Sequence, residues 1–593
     1  MIKRDTKLRW RRKFRRKKLQ VEDIGIQAEE RFEKHFVRRV GRLTDVRRFV
    51  IGWVCLIMFS IGGVALQMRQ LNTDFQTTTY VDGGVYTEGV IGAFTNANPI
   101  YASGAVDNSV ARLIFSGLLK YDKSNNLVGD LAESWSVNEE GNIYTVKLRP
   151  NLKWHDGEPL QADDVVFTYR TIQNPDAKSP LQASWQSIKV EAKDDLTVEF
   201  ILPNVLSSFQ YYLTNGIIPK SKLEMIPAAQ LRSARFNTVE PIGSGPFKFD
   251  VIEVSGDKAE DRIEQIGLIP NKTYFGGVPK LQRFIIKSFR NEEALIKSFN
   301  NEELNAMSGL DNVPDTIQNL GDVVENSISL TSQVDVFFNN SEGVLADKKI
   351  RQALIQSSKV NDIIRSLGYP VVMSDSPLLK NHLGYNKEIT QLKYNIEVAN
   401  KLLDEAGWVK GANGIRAKDG ANLSFRLFSR NTGEYTAVAQ KLQEQWRALG
   451  VDVKTFLQTN DELEATITRH EYDALLYGIS LGLDPDVFPY WHSSQADIRA
   501  KNRSNFSEYK SAIADKALEA GRTRSDPEIR AVKYKPFLEA WRDDSPALAI
   551  YQPRYLYVTR GKVNNFDIRE MNIASNRYAN VVNWQILQAK TNK

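Results

Sequence analysis

The chain has 593 residues, of which 42% are hydrophobic, 10% aromatic and 25% charged, with a single Cys. This is the composition of a folded globular protein and excludes disordered, collagen-like and disulfide-scaffold classes. The formal charge of +6 averages two regions of opposite sign: residues 1–48 hold 18 Lys/Arg against 7 Asp/Glu, a local +11, so the rest carries −5. A basic excess confined to one tail argues topology, and no nucleic-acid partner is expected from it.

In chain order, the tail 1–48 comes first, and its segment 9–18 (RWRRKFRRKK) has eight basic residues in ten. Next is 49–66 (FVIGWVCLIMFSIGGVAL), 18 residues without a charge, which as a helix spans about 27 Å and matches a bilayer core. The Lys/Arg excess on its amino-terminal side places the tail in the cytoplasm and everything after about residue 67 outside, as a single-pass cell-membrane protein. Beside such a helix the basic run reads as a partner for anionic lipid headgroups, with a solvated retention signal as the alternative. A cleaved secretory signal is the rival reading of the apolar segment, but its apolar core is shorter, about 7–15 residues, and its basic lead is short. Cys55, the only cysteine, lies in this segment, so the external part has neither a disulfide nor a cysteine-ligated metal.

Residues 67–79 (QMRQLNTDFQTTT) are polar and aperiodic and read as an extended tether. From residue 80 onward, strands and amphipathic helices mix with no second linker. Alternation marks strands at 143–148 (IYTVKL), 197–202 (TVEFIL) and 333–338 (QVDVFF). Ala399, Leu402, Leu403 and Ala406 form a helical stripe between an N-cap at Asn395 and a stop at Gly407, and Val438, Leu442, Trp446 and Leu449 form another ending at Gly450. The result is an α/β layer arrangement. No nucleophile, P-loop, dinucleotide or zinc motif is present, and His35, His155, His382, His470 and His492 are scattered. Neither catalysis nor a metal or cofactor site is expected.

What stands out is a series of segments in fixed order: 113–119 (LIFSGLL), 129–135 (GDLAESW), 147–149 (KLR), 154–157 (WHDG), 160–167 (LQADDVVF), 241–249 (PIGSGPFKF) and 274–277 (YFGG). Later marks are 349–353 (KIRQA), 399–408 (ANKLLDEAGW), 449–451 (LGV), Asp484-Pro485 and 544–546 (DSP). Read locally, these are scaffold: His155 is a turn residue, Asp163 or Asp164 caps a helix from Val165, and 243–246 (GSGP) is a tight turn. As an ordered set covering 80–592, they closely resemble the extracellular solute-binding protein family 5, the dipeptide, oligopeptide and nickel binders that feed ABC importers.

The resemblance implies an α/β, two-lobed periplasmic-binding-protein-like fold of type II, the large peptide-binding class, with an inserted subdomain, here preceded by one transmembrane helix. Lobe I is expected over 80–333 and 550–593 with the insertion at about 105–235, and lobe II over 334–549. The chain is expected to cross near 334–339 and return near 549–553. The implied function is capture of a small solute, an oligopeptide first, by hinge closure, and delivery to permease and ATPase subunits on other chains. A non-peptide solute (glycan or metal chelate) and a solute-sensing receptor are the alternatives. Solute contacts are expected from Thr95, Asn96 and Asn98 on the first lobe and Tyr477, Gly478, Ser480, Leu481 and Asp484 on the second. Tyr490 and Trp491 are candidates for stacking, and Arg430 for a terminal carboxylate. Peptide-binding relatives carry an aspartate for the peptide amine three positions before the acid of the acid-Pro pair. Here that position is Leu481, which leaves a buried ammonium without its charge partner.

Overall fold

The computed structural model describes residues 47–592 apart from 260, 370, 501–502 and 525. The basic tail 1–46 and its 9–18 run lie outside the described residues. The chain divides into two units, one holding residues up to Thr79 with the last few residues, the other Tyr80–Leu587.

In the first unit a helix runs Arg47–Phe75, and within it Phe49–Met68 is long and apolar enough to cross a membrane, with none of it buried by protein. The expected tether is different in kind: the helix continues to Phe75 and a strand, Gln76–Val81, follows, pairing with Leu587–Asn592. Gln, Met, Arg and Leu are good helix formers, and extending an existing helix avoids the nucleation cost.

The second unit has two lobes. The first is built on a seven-stranded sheet ordered Val323–Ser329, Arg554–Arg560, Ala306–Ser308, Val85–Ile91, Arg283–Phe289, Ile263–Pro270, Phe247–Ser255. Val85–Ile91 is central, parallel to both neighbours and buried along nearly its whole length, as strands covered on both faces are. It nevertheless carries Glu88, fully enclosed and bound by the equally enclosed Arg577. Tyr557 Oη donates to Glu88 Oε2 at 3.0 Å, and Arg577 also donates to Ser109 Oγ at 3.1 Å and to the Ala574 carbonyl at 2.6 Å. Every charge-bearing atom of this pair has a partner, as burial of charge requires.

Between Val85–Ile91 and Phe247–Ser255 the chain makes the inserted subdomain, a four-stranded sheet ordered Ala132–Val137, Ile143–Leu148, Thr197–Ile201, Lys189–Asp194. The Trp-His-Asp-Gly and Gly-Ser-Gly-Pro segments lock together here. The Gly243 N–H donates to His155 Nδ1 at 3.2 Å, and His155 Nε2 donates to the Gly245 carbonyl at 3.0 Å. The ring is thus a neutral tautomer, and burial lowers its pKa to about 4. A Cβ on Gly243 would stand 2.0 Å from the Ile114 carbonyl oxygen, so glycine is set by close packing. The neighbouring helix spans Ala162–Gln173 and starts three residues before the expected Val165. Gln161 is its N-cap, and the Asp164 carboxylate takes the N–H groups of Gln161 (3.0 Å) and Lys220 (2.9 Å).

The second lobe is a six-stranded sheet ordered Val372–Met373, Ala547–Gln552, Ser332–Phe338, Ala474–Ser480, Ser424–Arg430, Asp452–Gln458. Helices Ile396–Glu405 and Gly433–Leu449 pack on it, the first capped by the Asn395 side chain on the Val398 N–H. The first crossing is at residues 330–331, not 334–339: Ser332–Phe338 already pairs on both sides with second-lobe strands. The return passes at Pro553, between Ala547–Gln552 and Arg554–Arg560.

Asp335, in the middle of Ser332–Phe338, is wholly buried. Its carboxyl oxygens accept only the Gln333 amide, at 2.9 and 3.1 Å, and burial without a cation pushes its pKa up to about 8. The carboxyl is protonated in the fold up to about that pH but ionised in the unfolded chain above about pH 4, so it costs stability as pH rises through the interval. Relative to Asp335→Asn, the native chain is therefore expected to lose about 1.4 kcal/mol per pH unit between about pH 4 and 8. Thermal melts across a buffer series read this as a widening Tm gap, and a gap independent of pH contradicts the buried acid.

Candidate functional site

The two crossings are tied to each other. The Leu330 N–H donates to the Pro553 carbonyl at 3.0 Å, and the Gln552 side-chain amide donates to the Leu330 carbonyl at 2.7 Å. Thr331, fully buried, then joins the lobes. Its N–H donates to the Met571 carbonyl of the first lobe at 2.8 Å, and its carbonyl accepts the Leu481 and Gly482 N–H groups of the second at 2.9 and 3.2 Å. The Thr331 hydroxyl donates to Asn572 Oδ1 at 3.1 Å, and Ser480 Oγ reaches the same oxygen at 3.4 Å.

Immediately beside this hinge a sheet edge is open. Ala474–Ser480 pairs along its whole length with Ser332–Phe338, but with Ser424–Arg430 only at Leu427↔Ala474 and Phe428↔Leu475. Past that point Ser429 Oγ holds the Leu476 carbonyl at 3.1 Å, and among the described residues 477–480 have no ladder partner on that side. Because the Leu481 N–H points at Thr331, alternation along the strand turns the Gly478 N–H and C=O outward, away from the paired side. A Cβ on Gly478 would sit 2.6 Å from Tyr435 Oη, so only glycine admits that hydroxyl. The Arg430 guanidinium lies 5.3 Å from the Tyr477 ring centroid and 5.9 Å from that of Tyr435. It has no hydrogen bond or ion pair among the described residues.

Farther from the hinge, the lobes enclose a cavity of about 460 Å³. Trp135, Tyr144, Gln210 and Tyr211 line it from the inserted subdomain, and Asp484 and Arg530 from the second lobe. The Tyr144 and Tyr211 hydroxyls are raised in pKa by burial first, and for Tyr211 the Asp484 charge comes next. A second cavity of about 340 Å³ shares Tyr211 and is lined by Asn108, Trp185, Asn215 and Ile573. At the rim the lobes touch: the Ser207 N–H and Oγ both donate to the Arg522 carbonyl, at 2.9 and 3.0 Å. Ser208 Oγ and Arg522 Nη2 both reach Asp486 Oδ2, at 3.1 and 2.9 Å. The lobes therefore touch at the rim as well as at the hinge.

The expected contact residues separate into groups. Tyr477, Gly478 and Ser480 form the open edge, and Tyr490 supports it by donating its hydroxyl to the Ser480 carbonyl at 2.7 Å. Leu481 is buried beneath Thr331. Asp484 is held by Arg530 through two bonds of 2.8 Å. Trp491, expected as a stacking surface, is instead fully enclosed against Phe337 and Trp541. Asn96 and Asn98 are both buried: the Asn96 side chain binds the Asn98 N–H and the Arg232 carbonyl, and the Asn98 side chain binds Asn237 and the Ile100 N–H. Thr95 is exposed, but its N–H and hydroxyl go to Asp107 at 2.7 and 2.6 Å. The Thr95–Asn98 side chains thus build a loop inside the first lobe; buried amides are bonded somewhere, and here the partner is protein. Sequence reasoning missed Arg530, Tyr144, Tyr211, Tyr435 and Asn572, because nothing local distinguishes residues that meet only through tertiary structure. No group of His, Cys, Asp or Glu that could hold a metal ion occurs among the described residues.

Comparison with known proteins gives a consistent answer. The model of bacterial extracellular solute-binding proteins, family 5 (Middle), matches residues 126–499. The oligopeptide-binding protein AppA of Bacillus subtilis is 31% identical over 488 residues, 79% of this chain and 86% of AppA. The structure of AppA in complex with a nonapeptide matches with TM-score 0.68 at 28% identity, covering 86% of this chain and all of that one. NikZ from Campylobacter jejuni in complex with Ni(L-His) matches with TM-score 0.71 at 26% identity, over 85% of this chain and 99% of that one.

The two arginines of the cleft differ in what they hold. Arg530→Met leaves Asp484 buried and unpaired and is expected to lower stability by about 3–5 kcal/mol. Arg430→Met removes no protein contact of that kind and is expected to stay within about 0.5 kcal/mol. Denaturant unfolding of both variants checks the contrast; equal losses contradict the assignment of Arg430 as a cation without a carboxylate partner in the protein.

Proposed function

The chain belongs to the bacterial extracellular solute-binding proteins of family 5, the non-enzymatic substrate-binding components of ABC transporters, and from that premise we propose that it is a membrane-anchored receptor delivering oligopeptides to an importer. The apolar helix, Phe49–Met68, supports the anchor, with the amino terminus cytoplasmic and the binding lobes outside. An anchor keeps the receptor within reach of its permease and raises its effective concentration there.

The observation that carries the peptide reading is the open edge at 477–480, beside the strand connections that join the two lobes. An extended peptide adds to such an edge through main-chain hydrogen bonds, which are blind to side-chain identity, while a roomy cavity accommodates varied side chains. Closure makes binding and lobe motion one equilibrium, because only the closed form touches solute from both sides.

Charge recognition is lopsided. Leu481 offers no carboxylate to a peptide amine, and Asp484 is already spent on Arg530. Arg430, beside the open edge, faces the Tyr477 and Tyr435 rings and has no carboxylate partner among the described residues. The favoured solute is therefore a peptide held by its main chain and a carboxylate, with its amino end blocked or solvated. The same missing acid favours a second reading, a solute with no amine, such as a glycan or a metal chelate.

Native mass spectrometry of the full-length chain, purified in detergent without refolding and then denatured, tests this. Co-released peptides of several lengths are the expected result, with Arg430→Met losing at least tenfold in affinity for them. A single non-peptide species, or peptide binding indifferent to Arg430, contradicts the reading.

A further inference from the structure

A third cavity, of about 250 Å³, lies within the first lobe and contains no residue of the second. Two guanidiniums line it from separate parts of the chain. Arg112 stands in the last turn of the helix Ala105–Ile114, and Arg569 comes from the carboxy-terminal segment that returns to this lobe. Each is half-buried. They are close enough that, after burial and the opposing charge of Asp567, the charge of Arg112 lowers the pKa of Arg569.

Neither guanidinium is well satisfied. Among the described residues the Arg569 guanidinium donates to two backbone carbonyls, those of Tyr121 and Asn576, both at 3.4 Å. Arg112 has no hydrogen bond or ion pair among the described residues. A basic residue in a last helical turn is explained by the helix dipole, but the dipole does not account for a second guanidinium arriving from the opposite wall. Two like charges brought together at partial burial are unfavourable unless an anion sits between them.

The other charged groups facing this cavity are largely engaged elsewhere. Asp130 is paired with Lys120 at 3.0 Å. Asp122 closes its own turn, accepting the N–H groups of Ser124 and Asn126 at 2.8 and 2.9 Å. Lys123 is a further cation lining the cavity, and both Asp567 and Asp122 act on Arg569, Asp567 the more strongly. Four cations, Arg112, Lys120, Lys123 and Arg569, against the three carboxylates Asp122, Asp130 and Asp567 leave the cavity net positive by one charge.

We propose that this cavity binds one anionic group, a carboxylate or phosphate, of a small molecule, with Arg112 and Arg569 as its forked donors. Guanidinium geometry matches both groups bidentately, and the volume is below the about 300–1,000 Å³ of drug-sized sites, which restricts the ligand to a small one. Arg112 also lines the 340 Å³ cavity beside the cleft, so the anion has two sources: a free small molecule, or the acidic end of the transported solute.

Titration calorimetry on the full-length chain in detergent, with inorganic phosphate and with succinate at constant ionic strength set by chloride, tests the site. Saturable binding is expected, weakened at least tenfold in Arg112→Gln and in Arg569→Gln, and tightened in Asp567→Asn by removal of the repelling carboxylate. Ligand-free melting of each variant confirms that it is folded, and either arginine variant alone suffices if the other is not. Binding of phosphate and peptide together identifies a free anion as the source, and competition between them identifies the solute's acidic end; both support the site. Heats indistinguishable from the chloride control, or binding unchanged in the folded arginine variants, overturn it. Peptide capture through the open edge does not depend on this outcome.

Discussion

The binding geometry depends on one buried threonine. Thr331 sits between strands of different lobes, and its peptide group bonds the first lobe through Met571 and the second through Leu481 and Gly482. A residue so placed cannot move with one lobe and ignore the other. With Leu330 bonded to Pro553, the two crossings act as a single strap, which narrows the motions available to the lobes to a hinge about that line. The open edge begins a few residues from the strap, so lobe rotation moves it little while it sweeps the rim contacts at Ser207, Asp486 and Arg522 through a wide arc. The arrangement keeps the open edge near the pivot and gives the larger displacements to the rim.

Charge burial follows the same division. The Glu88–Arg577 pair lies inside the first lobe with each atom satisfied by tyrosines, a serine and a carbonyl. Asp484–Arg530 lies inside the second, at the wall of the cleft. Such pairs add little net stability, but removing one partner is costly; they fix which side chains point into the core and leave the cleft with few free charges. Against that background Arg430, and the Arg112 and Arg569 couple, are conspicuous as cations without strong partners.

Much of this architecture was legible in the sequence, and the reasons are local. Alternation in 143–148 and the capped stripes after Asn395 and before Gly450 reflect burial of one face, which each segment must solve by itself, whereas 333–338, read as a strand with one wet face, is buried on both. The ordered motifs carried the family because they are packing solutions: His155 and Gly243 bond each other, and Gly243 has no room for a Cβ. What failed was whatever depends on distant partners. Asn96 and Asn98 have the chemistry of solute donors, but Arg232, Asn237 and their own loop take their hydrogen bonds first. Trp491 has the shape of a stacking platform and is core. Asp335 inside an apolar strand gave no hint that its carboxyl would be enclosed without a cation.

The central claim is that solute adds to the strand edge at 477–480. Hydrogen–deuterium exchange of the full-length chain with and without bound peptide reads this directly, in the peptic fragments spanning 474–483. The account predicts that solute slows exchange of the Gly478 and Ser480 amides, which face the open edge, while Ala474 and Leu475, already in the ladder, are unchanged. Protection confined to other parts of the cleft, with Gly478 exchanging as fast as in the free protein, would contradict it.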